Sequence, residues 1–232
     1  MRATLRGRDV IDLQRAARAA VVVVFALMLG ACATTRGEMA LAVPEGAAAT
    51  GGDKVAVIAR VSDAREFQEN PSDPSIPSLK KGDDYELDAE GRKRAIARKR
   101  NGYGKAMGDI LLEGGETVES LSRDLVARGL AERGYRVLDA GTAAPDGALR
   151  VDVDIRELWA WFTPGFWAVS MEAKLKLEIR ATGPGGADTV TVAGYGINKG
   201  QSGREDNWRL AYDRAFENYL AKQREAFDRA GL

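Results

Sequence analysis

The chain has 232 residues, 45% of them hydrophobic and 29% charged, and contains 34 basic and 34 acidic side chains, one Cys and no His. That is the composition of an ordinary globular domain, long enough to bury a core. Without His there is no Ser-His-Asp or Cys-His catalysis and no imidazole-based zinc site. Residues 1–31 hold five of the basic and two of the acidic side chains, so the remainder is slightly acidic, which argues against a nucleic-acid binder.

Arg2, Arg6, Arg8, Arg15 and Arg18 precede an apolar and small-residue run from Ala19 to Ala33 that contains Leu29-Gly30-Ala31-Cys32. The order is that of a charged n-region, an apolar h-region and a small-residue cleavage site. Leu-Gly-Ala-Cys resembles a lipobox. The resemblance implies that residues 1–31 are a lipoprotein signal peptide and that Cys32, the chain's only cysteine, becomes the acylated first residue of the mature protein. At 15 residues the run is shorter than the roughly 20 a membrane-spanning helix needs. Several acyl chains, at about 0.8 kcal/mol per buried CH₂, hold a protein firmly on a membrane. Ala33 after Cys32, in place of Asp, implies by the same resemblance sorting to the outer membrane.

Residues 32–53, rich in Ala, Gly and Thr, read as a flexible tether with a root-mean-square span of about 25 Å. The domain is expected over 54–232. Lys54–Asp63 (KVAVIARVSD) alternates as a first strand. Residues 64–114, with Pro71, Pro74, Pro77 and many charges, read as an irregular insertion. A basic cluster within it, Arg92, Lys93, Arg94, Arg98, Lys99, Arg100 and Lys105 beside Gly102-Tyr103-Gly104, has two readings. One is a contact for an anionic partner, such as lipid head groups or a cell-wall polymer, through Arg94, Arg98, Lys99, Arg100 and Tyr103. The other is a solvated, partly helical segment. Gly104-Lys105 lacks the spacing of a phosphate loop.

Thr117 is placed to cap a helix carrying Val118, Leu121, Leu125 and Leu130, with Gly134 closing it before the strand Tyr135–Leu138. Two alternating stretches follow, Leu149–Arg156 and Trp167–Arg180, around Thr163-Pro164-Gly165. They predict a long antiparallel hairpin. Charge complementarity favours a register pairing Arg150 with Glu178, Asp152 with Lys176, Asp154 with Lys174 and Arg156 with Glu172, which makes Asp152 and Asp154 structural rather than catalytic. Parity sets Glu157 on the apolar face. Trp159, Trp161, Phe162, Phe166 and Trp167 crowd the tip, where they form either an exposed contact patch or packing under the insertion or a helix. Thr189–Ile197 reads as a further strand whose Gly194 and Gly196 mark a bulge or close approach, and a final helix from about Arg204 carries an apolar stripe from Trp208 to Phe227.

The expected fold is α+β, a single antiparallel-rich sheet with a long central β-hairpin and two helices packed on one face. KVAVIARVSDAR, ETVESLSRDLVARGLAERGYRVL and the charged hairpin with its closing helix, behind the lipobox, resemble the YajG-like family of envelope lipoproteins. The resemblance carries over no catalytic residue, no cofactor and no metal site. It implies a sheet with its helices packed against one face and a family with no established activity. With the lipobox, the missing His, the paired hairpin charges and the lack of a nucleophile motif, the expectation is a periplasm-facing outer-membrane lipoprotein with a non-catalytic accessory or binding role, anchored in lipid through Cys32. An envelope protein or an anionic polymer is the candidate partner, nucleic acid is not, and Trp159, Trp161 and Trp167 are added to the candidate contacts. The alternatives are an auxiliary lipoprotein of an envelope transport or assembly complex, and a carboxylate-dependent cell-wall enzyme.

Overall fold

The computed structural model describes residues 37–46, 54–69, 71–79, 89–101, 105–138, 140–165, 167–200 and 203–232. The expected signal peptide, residues 1–31, and Cys32 and Tyr103 lie outside these residues.

The described elements run β1 (Gly37–Met39), β2 (Lys54–Asp63), α1 (Ala89–Arg94), β3 (Ala95–Arg100), β4 (Ala106–Leu112), α2 (Val118–Glu132), β5 (Tyr135–Leu138), β6 (Leu149–Thr163), β7 (Val169–Gly183), β8 (Gly186–Gly200) and α3 (Glu205–Ala230). The eight strands form one sheet. It is mixed rather than antiparallel-rich: β1–β4, β2–β5, β2–β6 and β3–β6 are parallel, and β3–β4, β6–β7 and β7–β8 antiparallel. The parallel pairs arise because β2 and β3 reach β6 through crossovers that span other elements, which a reading of consecutive strands does not reveal.

β6 organises the sheet. Its residues 150–163 pair with β7 along one edge. The other edge is shared, β2 taking residues 149–155 and β3 meeting Ala160. One row of partners therefore crosses six strands: Gly37, Ile110, Ala97, Ala160, Ala173 and Gly196.

Two regions expected to be irregular are built into this sheet. Within the expected tether, Gly37–Met39 pairs with Ile110–Leu112 of β4, and Met39 and Leu41 are buried in the core. The expected insertion 64–114 contributes α1, β3 and β4, and Ile96, Ala97, Ile110 and Leu112 join the same core. A strand of three residues, and strands interrupted by bulges at Ala95/Ala97 and Lys99/Arg100, leave no alternation long enough to read.

The core lies between one face of the sheet and the two long helices. Val118, Leu121, Leu125, Val126 and Leu130 of α2 and Trp208, Tyr212, Phe216, Tyr219 and Phe227 of α3 close over Ile58, Val151, Val153, Ile155, Leu175 and Leu177. Thr117 caps α2 in a reciprocal box with Ser120, and Gly134 at φ +80° ends it. Gly194 and Gly196 are a close approach without a bulge. A Cβ on Gly196 would sit 2.2 Å from the Ala211 carbonyl oxygen, and one on Gly194 2.4 Å from that of Ala215, so α3 lies directly on the β8 backbone.

The hairpin register differs from the one that charge favours. Arg150 faces Thr182, Asp152 faces Arg180 and Asp154 faces Glu178. The like-charged Asp154–Glu178 pair is relieved by two arginines: Arg60 of β2 lies 3.1 Å from Asp154, and Arg156 lies 3.1 Å from Glu178. A bulge between Ile155 and Glu157 then exchanges the faces. Before it, Val151, Val153 and Ile155 enter the helix-covered core. After it, Leu158 and Ala160 do so, and Trp159 and Trp161 turn to the opposite face. Glu157 consequently leaves the apolar side and pairs with Lys174 at 3.3 Å.

Candidate functional site: the sheet face under residues 64–79 and the hairpin tip

The segment after β2 folds over the sheet face opposite α2 and α3, where Ala95, Leu111 and Trp159 are buried with Phe67, Leu79 and Trp161 against them. Trp159 is 1% exposed, meets Phe67 edge to face at 5.9 Å and donates its indole N–H to the Pro74 carbonyl at 3.3 Å. Of the two readings of the tip aromatics, Trp159 is thus packing under the insertion. Trp161 is half-buried between Tyr195, 6.4 Å away, and the Lys174 ammonium at 5.9 Å. Trp167 is 85% exposed at the end of the hairpin.

Sequence reasoning passed over Arg65, whose side chain is fully buried where the β6 edge passes from β2 to β3. Its guanidinium donates to the carbonyls of Ala95 (2.6 Å), Leu158 (3.0 Å) and Arg92 (2.9 Å) and to both carboxylate oxygens of Asp63 (2.8 Å each). It thereby satisfies backbone acceptors at the break between the two half-length partners of β6. The Asp63-Ala64-Arg65 triplet closing the first strand was the available signal.

The basic cluster disperses into separate roles. Arg94 donates to the Leu112 carbonyl at 2.6 Å and pairs with Glu38 at 2.6 Å, holding β1 against the end of β4. Arg98 is buried cross-strand from Asp109, with Nε 3.7 Å from the carboxylate, and burial holds its guanidinium below the usual basicity. Lys99 lies beside Gly37. Arg100 donates to the Pro71 carbonyl at 3.3 Å and the Ser78 hydroxyl at 3.2 Å, tying β3 to the covering segment. Asp73 accepts from the Ser75 backbone at 2.8 Å, a contact that lowers its carboxyl below the usual range.

The carboxylates nearest the tip are engaged. Glu172 accepts from the Thr163 hydroxyl at 2.6 Å and the Tyr195 hydroxyl at 2.5 Å; burial, with that bond, pushes the Tyr195 phenol up to about 12. A charged groove of 290 Å³ runs past Glu66, Gln68, Pro77, Arg156, Glu157, Lys174 and Lys176. A second groove of 610 Å³ is lined by Val43, Pro44, Ala127, Ala131, Tyr135 and Val137, with Arg128 and Asp124 beside them, and burial raises the Asp124 carboxyl. Among the described residues no three His, Cys, Asp or Glu side chains are grouped to hold a metal ion, and no helix is long and apolar enough to cross a membrane.

No protein-family model matches the chain, and no curated protein matches it. Solved structures similar to it include two of uncharacterised proteins. Protein XCC0632 from Xanthomonas campestris, of family DUF330, shares 13% identity over 82% of this chain and 91% of that one, with a TM-score of 0.36. An uncharacterised protein shares 12% identity over 82% and 97% of the two chains, with a TM-score of 0.39. Likenesses at this level carry no activity over to the chain.

Proposed function

We propose that this protein is a lipid-anchored envelope lipoprotein on the periplasmic side of the outer membrane, with a non-catalytic accessory or binding role. The observation that carries the reading is Leu29-Gly30-Ala31-Cys32, which sets the chain's only cysteine at the end of an apolar run behind an arginine-rich start. The YajG-like character of KVAVIARVSDAR, of ETVESLSRDLVARGLAERGYRVL and of the hairpin supports it. A binding role is supported by the open 610 Å³ groove, whose lining is part apolar and part charged and whose volume falls within the range of ligand sites. Acid–base chemistry at the tip finds less support, because Glu157 is paired with Lys174 and Glu172 with two hydroxyls.

The test is intact mass and membrane fractionation of the wild type beside Cys32→Ala. Acyl mass on a chain beginning at Cys32, sedimenting with outer membranes, is expected for the wild type alone. An unmodified mass that retains residues 1–31 would overturn the reading.

A further inference from the structure

We infer that the end of the sheet carrying the β6–β7 tip is the membrane-facing end of the domain, with Trp167 seated in the lipid interface. The inference rests on the acylation of Cys32 proposed above and adds an orientation to it.

Strand direction is the first argument. β3 runs parallel to β6, β4 antiparallel to β3, and β1 parallel to β4, so β1 runs against β6. Gly37 stands level with Ala160, and β1 begins on the side of Thr163 and the tip. Chain length is the second. Four residues separate Cys32 from Gly37 and, fully extended, place the two Cα atoms at most ~17 Å apart. In the same row Ala173 lies ten residues from Gly183 along β7, which puts the far Pro184-Gly185 turn ~33 Å away in the opposite direction. The leash holds the Gly37 end of β1 close to the bilayer, and of the two ends of the β6–β7 hairpin the tip lies nearer to it.

The surface chemistry of this end is the third argument. Trp167, the most exposed large apolar side chain described, projects from it. An indole combines an apolar body with one N–H and concentrates at membrane–water boundaries. Lys105 in the β3–β4 connection, Lys199 near the end of β8 and Arg204 at the start of α3 are exposed at the same end. Gly200 packs against Asn207 and so places the start of α3 there. Of the acids here, Asp206 pairs with Arg209 at 2.5 Å, and Glu172 and Glu205 stand against three exposed cations suited to anionic head groups.

The experiment uses the full, lipidated protein reconstituted in phosphatidylethanolamine–phosphatidylglycerol vesicles with brominated acyl chains, which quench tryptophan within the bilayer. Intact mass on the same preparation reports acylation. Every protein compared carries Trp161→Phe, because that half-buried tryptophan shares the tip. In this background the bromolipid is expected to dim emission, to lose that effect when Trp167→Phe is added, and to leave Trp167→Phe/Pro184→Trp undimmed; Trp159 and Trp208, 1% and 2% exposed, are out of its reach. An acylated Trp161→Phe protein that is not quenched, quenching that survives Trp167→Phe, or quenching at position 184 overturns the orientation and leaves the anchor standing. Missing acyl mass overturns both.

Discussion

Arg65 shows how one side chain makes this topology possible. A strand edge shared end to end by two others leaves, where they meet, carbonyls that neither partner reaches, and an unmet buried acceptor costs about 1–3 kcal/mol. The five donors of a guanidinium, fixed in a fork, can serve three carbonyls and a carboxylate together; a lysine ammonium offers three donors at one point. Asp63 supplies the counter-charge two residues away, so both halves of the ion pair come from one short run at the end of β2. Arg65→Met should lower stability by about 3–5 kcal/mol, the range for removing one partner of a buried pair. Arg65→Lys should recover less than half of that. Urea denaturation of the three proteins checks it, and midpoints within experimental error of one another would show that the junction does not depend on the guanidinium.

At the scale of elements, what the sequence reveals depends on whether the deciding neighbour is local. β2, α2 with its Thr117 cap, β5 and α3 are legible because their periodicity and end signals lie within their own residues. The hairpin strands are legible for the same reason, but their register is not. Complementary charges select a pairing only if the two strands are the whole environment, and here Arg60 from a third strand neutralises Asp154. The bulge before Glu157 adds a second decision that charge does not encode, and it sends Trp159 to the face opposite Leu158. The candidate site was legible in part as a list of residues, Arg65 being missed, and not as an arrangement: Arg94, Arg98 and Arg100 hold three different parts of the fold together. Cysteines separate the two registers directly. In a Cys32→Ala background, Arg150→Cys should form a disulfide with Thr182→Cys, its partner across the strands, and should fail to do so with Glu178→Cys, the partner that charge alone selects. Mass spectrometry after mild oxidation reads the outcome, and crosslinking of 150 to 178 would restore the charge-based register.

For the whole molecule, the consequential difference from the sequence reading is where the folded domain begins. Residues 32–53 have the composition of a tether, yet β1 adds a strand to the sheet, Glu38 pairs with Arg94, and Met39 and Leu41 are 0% and 5% exposed. Three residues of strand give no period to detect, so the β4 edge, about seventy positions downstream, and the shared core that Met39 and Leu41 enter decide the matter. The difference has a thermodynamic consequence. Burying an apolar side chain of this size contributes about 1.5–3 kcal/mol, so the two together contribute roughly 3–6 kcal/mol before the β1–β4 pairing is counted. A domain of this class is stable by only about 5–15 kcal/mol. A chain beginning at Lys54 should therefore unfold at markedly lower urea than one beginning at Ala33, with exposed apolar surface on the β4 side of the core. A free tether would give the two chains the same midpoint. The longer chain with Met39→Ala and Leu41→Ala should reproduce most of the loss, because those side chains, and not the length of the leader, occupy the core.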